Sequence, residues 1–138
     1  MKPKVSIITV CYNAVDLIED TLKSVLNQTY SDIEYIVIDG GSKDGTKDII
    51  KKYESRVARF ISEPDKGIYD AMNKGIALST GEWINFMNAG DVFVNDTVVE
   101  DVFSHAIQKN VGLIYGNVLV NYPGNDGVVK LLDNLKEG

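Results

Sequence analysis

The 138-residue chain contains one cysteine and one histidine, and each scarcity closes off a class of chemistry. With Cys11 alone, no intrachain disulfide can form, and a reducing compartment is the simpler expectation; the thiol itself reads as a buried filler at a strand end. His105 falls inside a helix-patterned segment, far along the chain from any Ser or Cys poised at a turn. Ser-His-Asp and Cys-His catalysis therefore have little support, and a zinc site built from His and Cys has less. Positive charge is also in deficit: 14 Lys and Arg stand against 20 Asp and Glu, a net charge of −6. That balance argues against a nucleic-acid-binding surface, which needs clustered cations to displace counterions from phosphates. No long apolar run occurs. Val5–Val10, interrupted by Ser6 and Thr9, is too short for a transmembrane segment or a signal-peptide core, so the expected address is cytoplasmic.

Two phosphate-binding fingerprints are missing as well. No Gly-x-Gly-x-x-Gly follows the first apolar run, as a dinucleotide fold of the usual kind requires. Gly40 and Gly45 have P-loop spacing, but Thr46-Lys47 stands where Lys and then Ser or Thr are needed.

What is present is an ordinary globular composition, 44% apolar and 25% charged, in a chain long enough to bury a core. The expectation is one domain over 1–138, with a core at about 4–120 and a hairpin or tail over 121–138. Apolar runs alternate with helix-patterned segments. Val5–Val10 and Ile33–Ile38 read as strands, Arg59–Ser62 as a weaker one, Trp83–Met87 as a fourth, and Leu113–Val120 as a last long strand. Between them, Ile18, Leu22, Val25 and Leu26 predict a helix through about Gln28, with Asn13 as N-cap and Asp16 as its N3 partner. A second helix starts near Thr46 and buries Ile49, Ile50 and Tyr53; a third carries the stripe Ile68, Met72, Gly75, Ile76; a fourth carries Val99, Val102, Phe103, Ala106 and Ile107. The turn-rich segment 121–127 is expected to close a hairpin with Val128 and Val129, or to leave the core. The pattern implies an α/β fold: a mainly parallel sheet with helices on both faces, its strand order open.

In such a sheet the carboxyl ends of the strands line one crevice, where a polar ligand binds. This chain places polar residues at each exit: Asn13 after the first strand, Asp39 after the second, Asp65 after the third, Asn88 and Asp91 after the fourth. Any one of them alone is an ordinary turn or cap residue, but four exits bearing such groups favour a ligand site.

Three stretches carry a family resemblance. They are Val5–Asn13, the phrase Ile38-Asp39-Gly40-Gly41-Ser42-Lys43-Asp44-Gly45-Thr46, and Ser62–Gly75 continuing through Gly81–Asp91. In this order, over about residues 4–120, they resemble the family-two glycosyltransferases. The resemblance implies a Rossmann-like GT-A fold and a nucleotide-sugar donor, most often a UDP-sugar. It implies transfer to an acceptor hydroxyl, on a saccharide or lipid-linked acceptor, with inversion at the anomeric carbon, in polysaccharide or glycoconjugate synthesis. It maps base and ribose contacts onto Thr9, Tyr12, Asn13 and Asp39, the last as acceptor of a uracil N3–H.

Three departures accompany it. Where the family reads Asp-x-Asp-Asp and holds Mg²⁺ or Mn²⁺ against the donor phosphates, this chain has Asn88-Ala89-Gly90-Asp91, leaving Asp91 as the metal ligand and Asn88 to bond ribose or a metal-bound water. The resemblance thus implies a divalent cation, while the residues supply one of its carboxylates. Where relatives carry Ala-Arg-Asn, this chain has Ala71-Met72-Asn73, and Lys66 and Lys74 are the nearby cations. The base that deprotonates the acceptor belongs to a later motif, and Asp126, Asp133 and Glu137 do not form it. The expectation is a donor-binding part of a longer enzyme, or a shortened member, with its catalytic base outside the chain. In the full-length protein this part would sit in the cytoplasm or at the inner membrane face, and an apolar edge after residue 120 leaves a homodimer open. Two other classes compete: a non-catalytic nucleotide-sugar binding module, and a flavodoxin-like receiver, which wants paired acids where Cys11-Tyr12-Asn13 stands.

Overall fold

A computed structural model of the chain describes residues 2–104, Gly112, and the strand backbones at 118–121 and 129–132. It divides into two compact units, Met1–His105 and Ala106–Gly138. The first holds strands β1 (Val5–Cys11), β2 (Ile33–Asp39), β3 (Arg59–Ser62) and β4 (Trp83–Phe86), with helices α1 (Ile18–Leu26), α2 (Thr46–Lys51), α3 (Ile68–Leu78) and α4 (Val98–Phe103). All four strands are parallel, in the order β3-β2-β1-β4.

That order explains the sequence gradient along the strands. β1 and β2 are interior, so β1 is buried at every position and β2 from Tyr35 onward; β3 and β4 are edges, short and half exposed. One sheet face packs Ile7, Tyr35 and Val37 against Ile18, Leu22 and Val25 of α1, Ile50 of α2 and Val99 of α4. The other packs Ile8, Val10, Ile36 and Ile38 against Ala71, Met72 and Leu78 of α3. Helices thus cover both faces, as the alternating pattern implies.

Three local expectations need correction. The third helix forms, but its inward stripe is Ala71, Met72, Gly75 and Leu78; Ile68 and Ile76 are 50% and 43% exposed. Its closest approach is at Gly75, where a Cβ would stand 2.5 Å from Ile8 Cγ2, so only glycine lets the helix lie this near β1. Asn13 does not cap α1. It takes a left-handed backbone (φ 45°), a turn anchored on Ala14 O intervenes, and the helix begins at Ile18. The fourth strand ends at Phe86 rather than Met87, although Met87 and Ala89 still donate their N–H groups to Ile8 O and Val10 O of β1.

The second unit contains β5 (Val118–Asn121) and β6 (Val129–Leu132), paired antiparallel with Asn121 opposite Val129. Asn121, expected in the turn, is instead the last residue of β5; the expected strand residues 113–117, turn positions 122–127, Val128, the helical positions 106 and 107, His105, Asp126, Asp133 and Glu137 lie outside the described residues.

Candidate functional site

At the carboxyl ends of the four strands lies a crevice of about 640 Å³. Its walls come from the β1 exit and following turn (Val10–Ala14, Leu17), from Gly40 after β2, from the β3–α3 segment (Pro64, Asp65, Gly67, Ile68, Ala71) and from Asn88 and Ala89 after β4. Residues far apart in sequence meet here because the parallel sheet brings all its strand exits to one rim.

The segment after β2 builds this rim from below. Asp39 is fully buried, and its carboxylate accepts from Gly41 N (3.1 Å), Ser42 N (2.9 Å), Ser42 Oγ, Ser62 Oγ (2.7 Å) and the Cys11 thiol (3.5 Å). Burial alone would raise its pKa, but the Ser42 and Ser62 hydroxyls, the Ser42 amide and the Cys11 thiol outweigh that and hold it below the usual carboxylate range. Cys11 moves the opposite way: burial and the neighbouring Asp39 carboxylate push its thiol far up, so it is an inert packing group. Further along, Ser42 Oγ accepts from Asn13 N (2.7 Å), Thr46 Oγ1 accepts from Ala14 N (2.9 Å), and Asp44 accepts from Val15 N (3.1 Å) and from Thr46 Oγ1 (2.6 Å). Asn13 Oδ1 accepts from Lys43 N in return (2.9 Å). The loop after β1, which forms one crevice wall, is therefore held in place by the loop after β2.

The sequence-derived site residues separate into three groups. Tyr12, Asn13 and Asn88 line the crevice, with Tyr12 63% exposed. Thr9 and Asp39 do not reach it. Thr9 is fully buried, donating to Met87 O (2.6 Å) and accepting from the Tyr35 hydroxyl (2.7 Å), so it ties β1 to β2 and to the end of β4. Lys66, Asn73 and Asp91 are exposed and are not among the residues that line the crevice. Lys66 sits between the lining residues Asp65 and Gly67. Asn73 follows Ala71 by two positions, about 200° around α3 from that inward residue. Lys74, the other nearby cation, is taken up by Glu63 (3.0 Å) and Asp70 (3.8 Å).

Asn88–Asp91 forms a turn, with Asp91 N donating to Asn88 O (2.9 Å) and Gly90 in a left-handed conformation (φ 101°). The fully buried Thr21 of α1 pins it, accepting from Gly90 N (3.0 Å) and donating to Asp91 O (2.8 Å). Thr21 escaped the sequence reading because it falls within the apolar stripe of α1, where a threonine looks like filler. The Asn88 Oδ1 atom is buried and has no hydrogen-bond partner among the described residues. Among the described residues, no three His, Cys, Asp or Glu side chains come together as a cation site. Asp91 is the one carboxylate at this turn, so a divalent cation held there would have a single protein carboxylate as ligand.

A crevice at the strand exits of an open parallel sheet is where α/β nucleotide-binding folds hold their ligands. The family model described as glycosyl transferase family 2 matches residues 6–135, and the chain belongs to that family. An uncharacterised glycosyltransferase of Mycobacterium tuberculosis is 45% identical over 98 residues, covering 70% of this chain and 37% of the relative. A PGL/p-HBAD biosynthesis glycosyltransferase of Mycobacterium bovis is 33% identical over 122 residues, covering 86% of this chain and 48% of the relative. Among solved structures, a mannosyltransferase of Pyrobaculum calidifontis in complex with GDP-Man and Mn²⁺ superposes with a TM-score of 0.64 at 26% identity, covering 70% of this chain and 30% of that one. The chain thus spans less than half the length of these relatives.

Proposed function

We propose that the crevice binds the nucleoside diphosphate part of a sugar nucleotide, a UDP-sugar in the first instance, and that this chain is the donor-binding part of an inverting glycosyltransferase of polysaccharide or glycoconjugate synthesis. The observation that carries the proposal is the crevice itself: about 640 Å³, at the exits of all four parallel strands, in a chain of this family. The GDP-Man complex of the Pyrobaculum relative supports a nucleotide-sugar ligand.

Each wall has a part to play. Tyr12 offers an exposed aromatic face on which a base can stack. The Nδ2 of Asn13 takes no partner among the described residues and can donate to a base carbonyl, while the side-chain amide of Asn88, which also lines the crevice, can bond a ribose hydroxyl. Lys66, beside the lining residues Asp65 and Gly67, supplies positive charge for the diphosphate. A divalent cation bound with the donor would find one carboxylate here, Asp91, and would supply Lewis-acid stabilisation of the leaving diphosphate. In the transfer, the acceptor oxygen bonds to the anomeric carbon from the face opposite the diphosphate, the bond from that carbon to the phosphate oxygen breaks, and the acceptor proton passes to a base. No residue of this chain is assigned as that base. The acceptor, a saccharide or lipid-linked hydroxyl, belongs to the same proposal.

The test is calorimetric titration of the chain with UDP and GDP, alongside UDP release from a panel of UDP-sugars with and without Mn²⁺, on both this chain and a full-length relative. Saturable binding with sugar transfer by the longer protein is expected. Binding without transfer by the longer protein would make the chain a non-catalytic module, and absence of saturable binding at millimolar nucleotide would remove the proposal altogether.

A further inference from the structure

Asp39 cannot be the group that reads the donor's base. Its two carboxylate oxygens already hold five donors, and its side chain is sealed from solvent. Presenting it to a ligand would break the turn that shapes the rim. A second carboxylate at the same end of the sheet is free to act. Asp65 lines the crevice; its Oδ1 accepts from Gly67 N (3.0 Å), and its Oδ2 takes no hydrogen bond among the described residues. It lies over the backbone of Gly40, so close that a Cβ there would stand 2.8 Å from Oδ2. Glycine at 40 thus leaves the room that this carboxylate occupies. Asp65 is also the only charged side chain among the lining residues. A partly buried carboxylate with an open acceptor position selects a ligand edge that carries a hydrogen on nitrogen and repels one that carries a lone pair.

Resting on the nucleotide-sugar reading above, we infer that Asp65, rather than Asp39, is the specificity-determining residue for the base, accepting a ring N–H and so favouring uracil or guanine over cytosine and adenine. Uracil presents N3–H and guanine N1–H, whereas cytosine N3 and adenine N1 are acceptors on the corresponding edge. Asp39 then acts as a positioning residue that holds Gly40 and Gly41 in the turn beneath it.

The experiment compares affinities for UDP, CDP and N3-methyl-UDP in the unaltered chain, in Asp65→Asn and in Asp39→Asn, with thermal midpoints for each. Asp65→Asn keeps an oxygen for the Gly67 amide but offers an NH₂ where the carboxylate was. In the unaltered chain UDP should exceed both CDP and N3-methyl-UDP by roughly tenfold to a hundredfold, the range for a charge-assisted hydrogen bond. In Asp65→Asn that preference should fall to within about threefold, the lost bond being worth at least tenfold, with the thermal midpoint unchanged. Asp39→Asn should lower the midpoint while the folded fraction keeps the preference. Retention of the full UDP preference by a folded Asp65→Asn that still binds UDP would overturn the inference and leave the nucleotide-sugar reading standing. Failure of the unaltered chain to bind any of the three would instead remove that reading, and this inference with it.

Discussion

Ile8 and Gly75 touch more closely than any side chain at position 75 would allow: a Cβ would stand 2.5 Å from Ile8 Cγ2. This contact fixes the distance between α3 and the central strand, and so the position of the β3–α3 segment that walls the crevice. Gly75→Ala gains up to about 1 kcal/mol of helix propensity. It also forces a methyl into a packed interface, at roughly 1–3 kcal/mol. The clash should win, because its partner is an interior side chain on the buried strand β1. A urea midpoint lowered by the equivalent of about 1 kcal/mol is expected; an equal or higher midpoint would show that the helix can move off the sheet at little cost.

The tie between the two rim loops predicts a coupling of stability to binding. Thr46→Val keeps the side-chain shape but leaves the buried Ala14 N–H without its acceptor, at a cost of about 1–3 kcal/mol. Because the same bond sets the Asn13–Ala14 wall of the crevice, UDP affinity should fall as well. Thr46→Ser restores the hydroxyl and should recover most of both losses. If Thr46→Val lost stability yet bound UDP as tightly as the unaltered chain, the loop after β1 would have to be excluded from the site.

At the opposite end of the sheet, Glu34 gives a pH signature that the crevice should not share. Its carboxylate accepts from Ser6 Oγ (2.8 Å), Thr80 N (2.8 Å) and Thr80 Oγ1 (2.7 Å), and Lys4 stands 3.5 Å away. Burial opposes ionisation, but the two Thr80 donors, Ser6 and Lys4 prevail and hold the pKa down at about 2, against an ordinary 4.5. A depressed folded-state pKa means stability that is present above the unfolded value and lost as pH falls toward the folded one. The expected observation is a Glu34→Gln variant that is less stable than the unaltered chain at pH 7, by about 1–3 kcal/mol. That gap should shrink between pH 4.5 and 2, where the unfolded chain binds a proton that the native carboxylate does not. A gap of constant size down to pH 2.5 would contradict the assignment. UDP affinity at pH 7 should not change, since Ser6 and Glu34 pair near the start of their strands, away from the exits.

Much of this was legible in the chain itself, for physical reasons that differ from element to element. β1 and β2 announce themselves because strands covered on both faces need continuous β-branched residues, as in Val5–Val10 and Ile33–Ile38. Strand order is set by non-local pairing, such as Val5 with both Ile33 and Trp83, and no local pattern encodes it. The rim was legible too, since each strand exit carries a polar residue. Which carboxylate faces the crevice was not: that depends on Ser42 and Ser62 converging on Asp39 from two different loops. Half of the signal was present, because a serine three residues after an aspartate is the pattern of a side chain bonding its own turn. The inward face of α3 was misread because Ile68 and Ile76 are apolar, yet the contact with the sheet is made through the small residues Ala71 and Gly75.

The Asn88–Asp91 turn offers the sharpest division between backbone and side-chain roles. Two of the carboxylates that would hold a cation in this family are replaced here by Asn88 and Gly90, so donor binding at this turn should depend on where its amides lie rather than on the charge of Asp91. Thr21 sets that position, through its bonds to Gly90 N and Asp91 O. Thr21→Val removes both bonds without changing the side chain's volume much, costing about 1–2 kcal/mol of stability and letting the turn shift. UDP affinity measured in the presence of EDTA should drop about tenfold, the equivalent of one lost hydrogen bond to an ionised group. Thr21→Ser should bind nearly as the unaltered chain does, while Asp91→Asn should change UDP affinity less than about threefold, because an exposed charge near the ligand contributes little. The opposite ordering, with Asp91→Asn the more damaging and its effect appearing only when Mn²⁺ is added, would mean that this lone carboxylate recruits a cation with the donor's own phosphates as the remaining ligands.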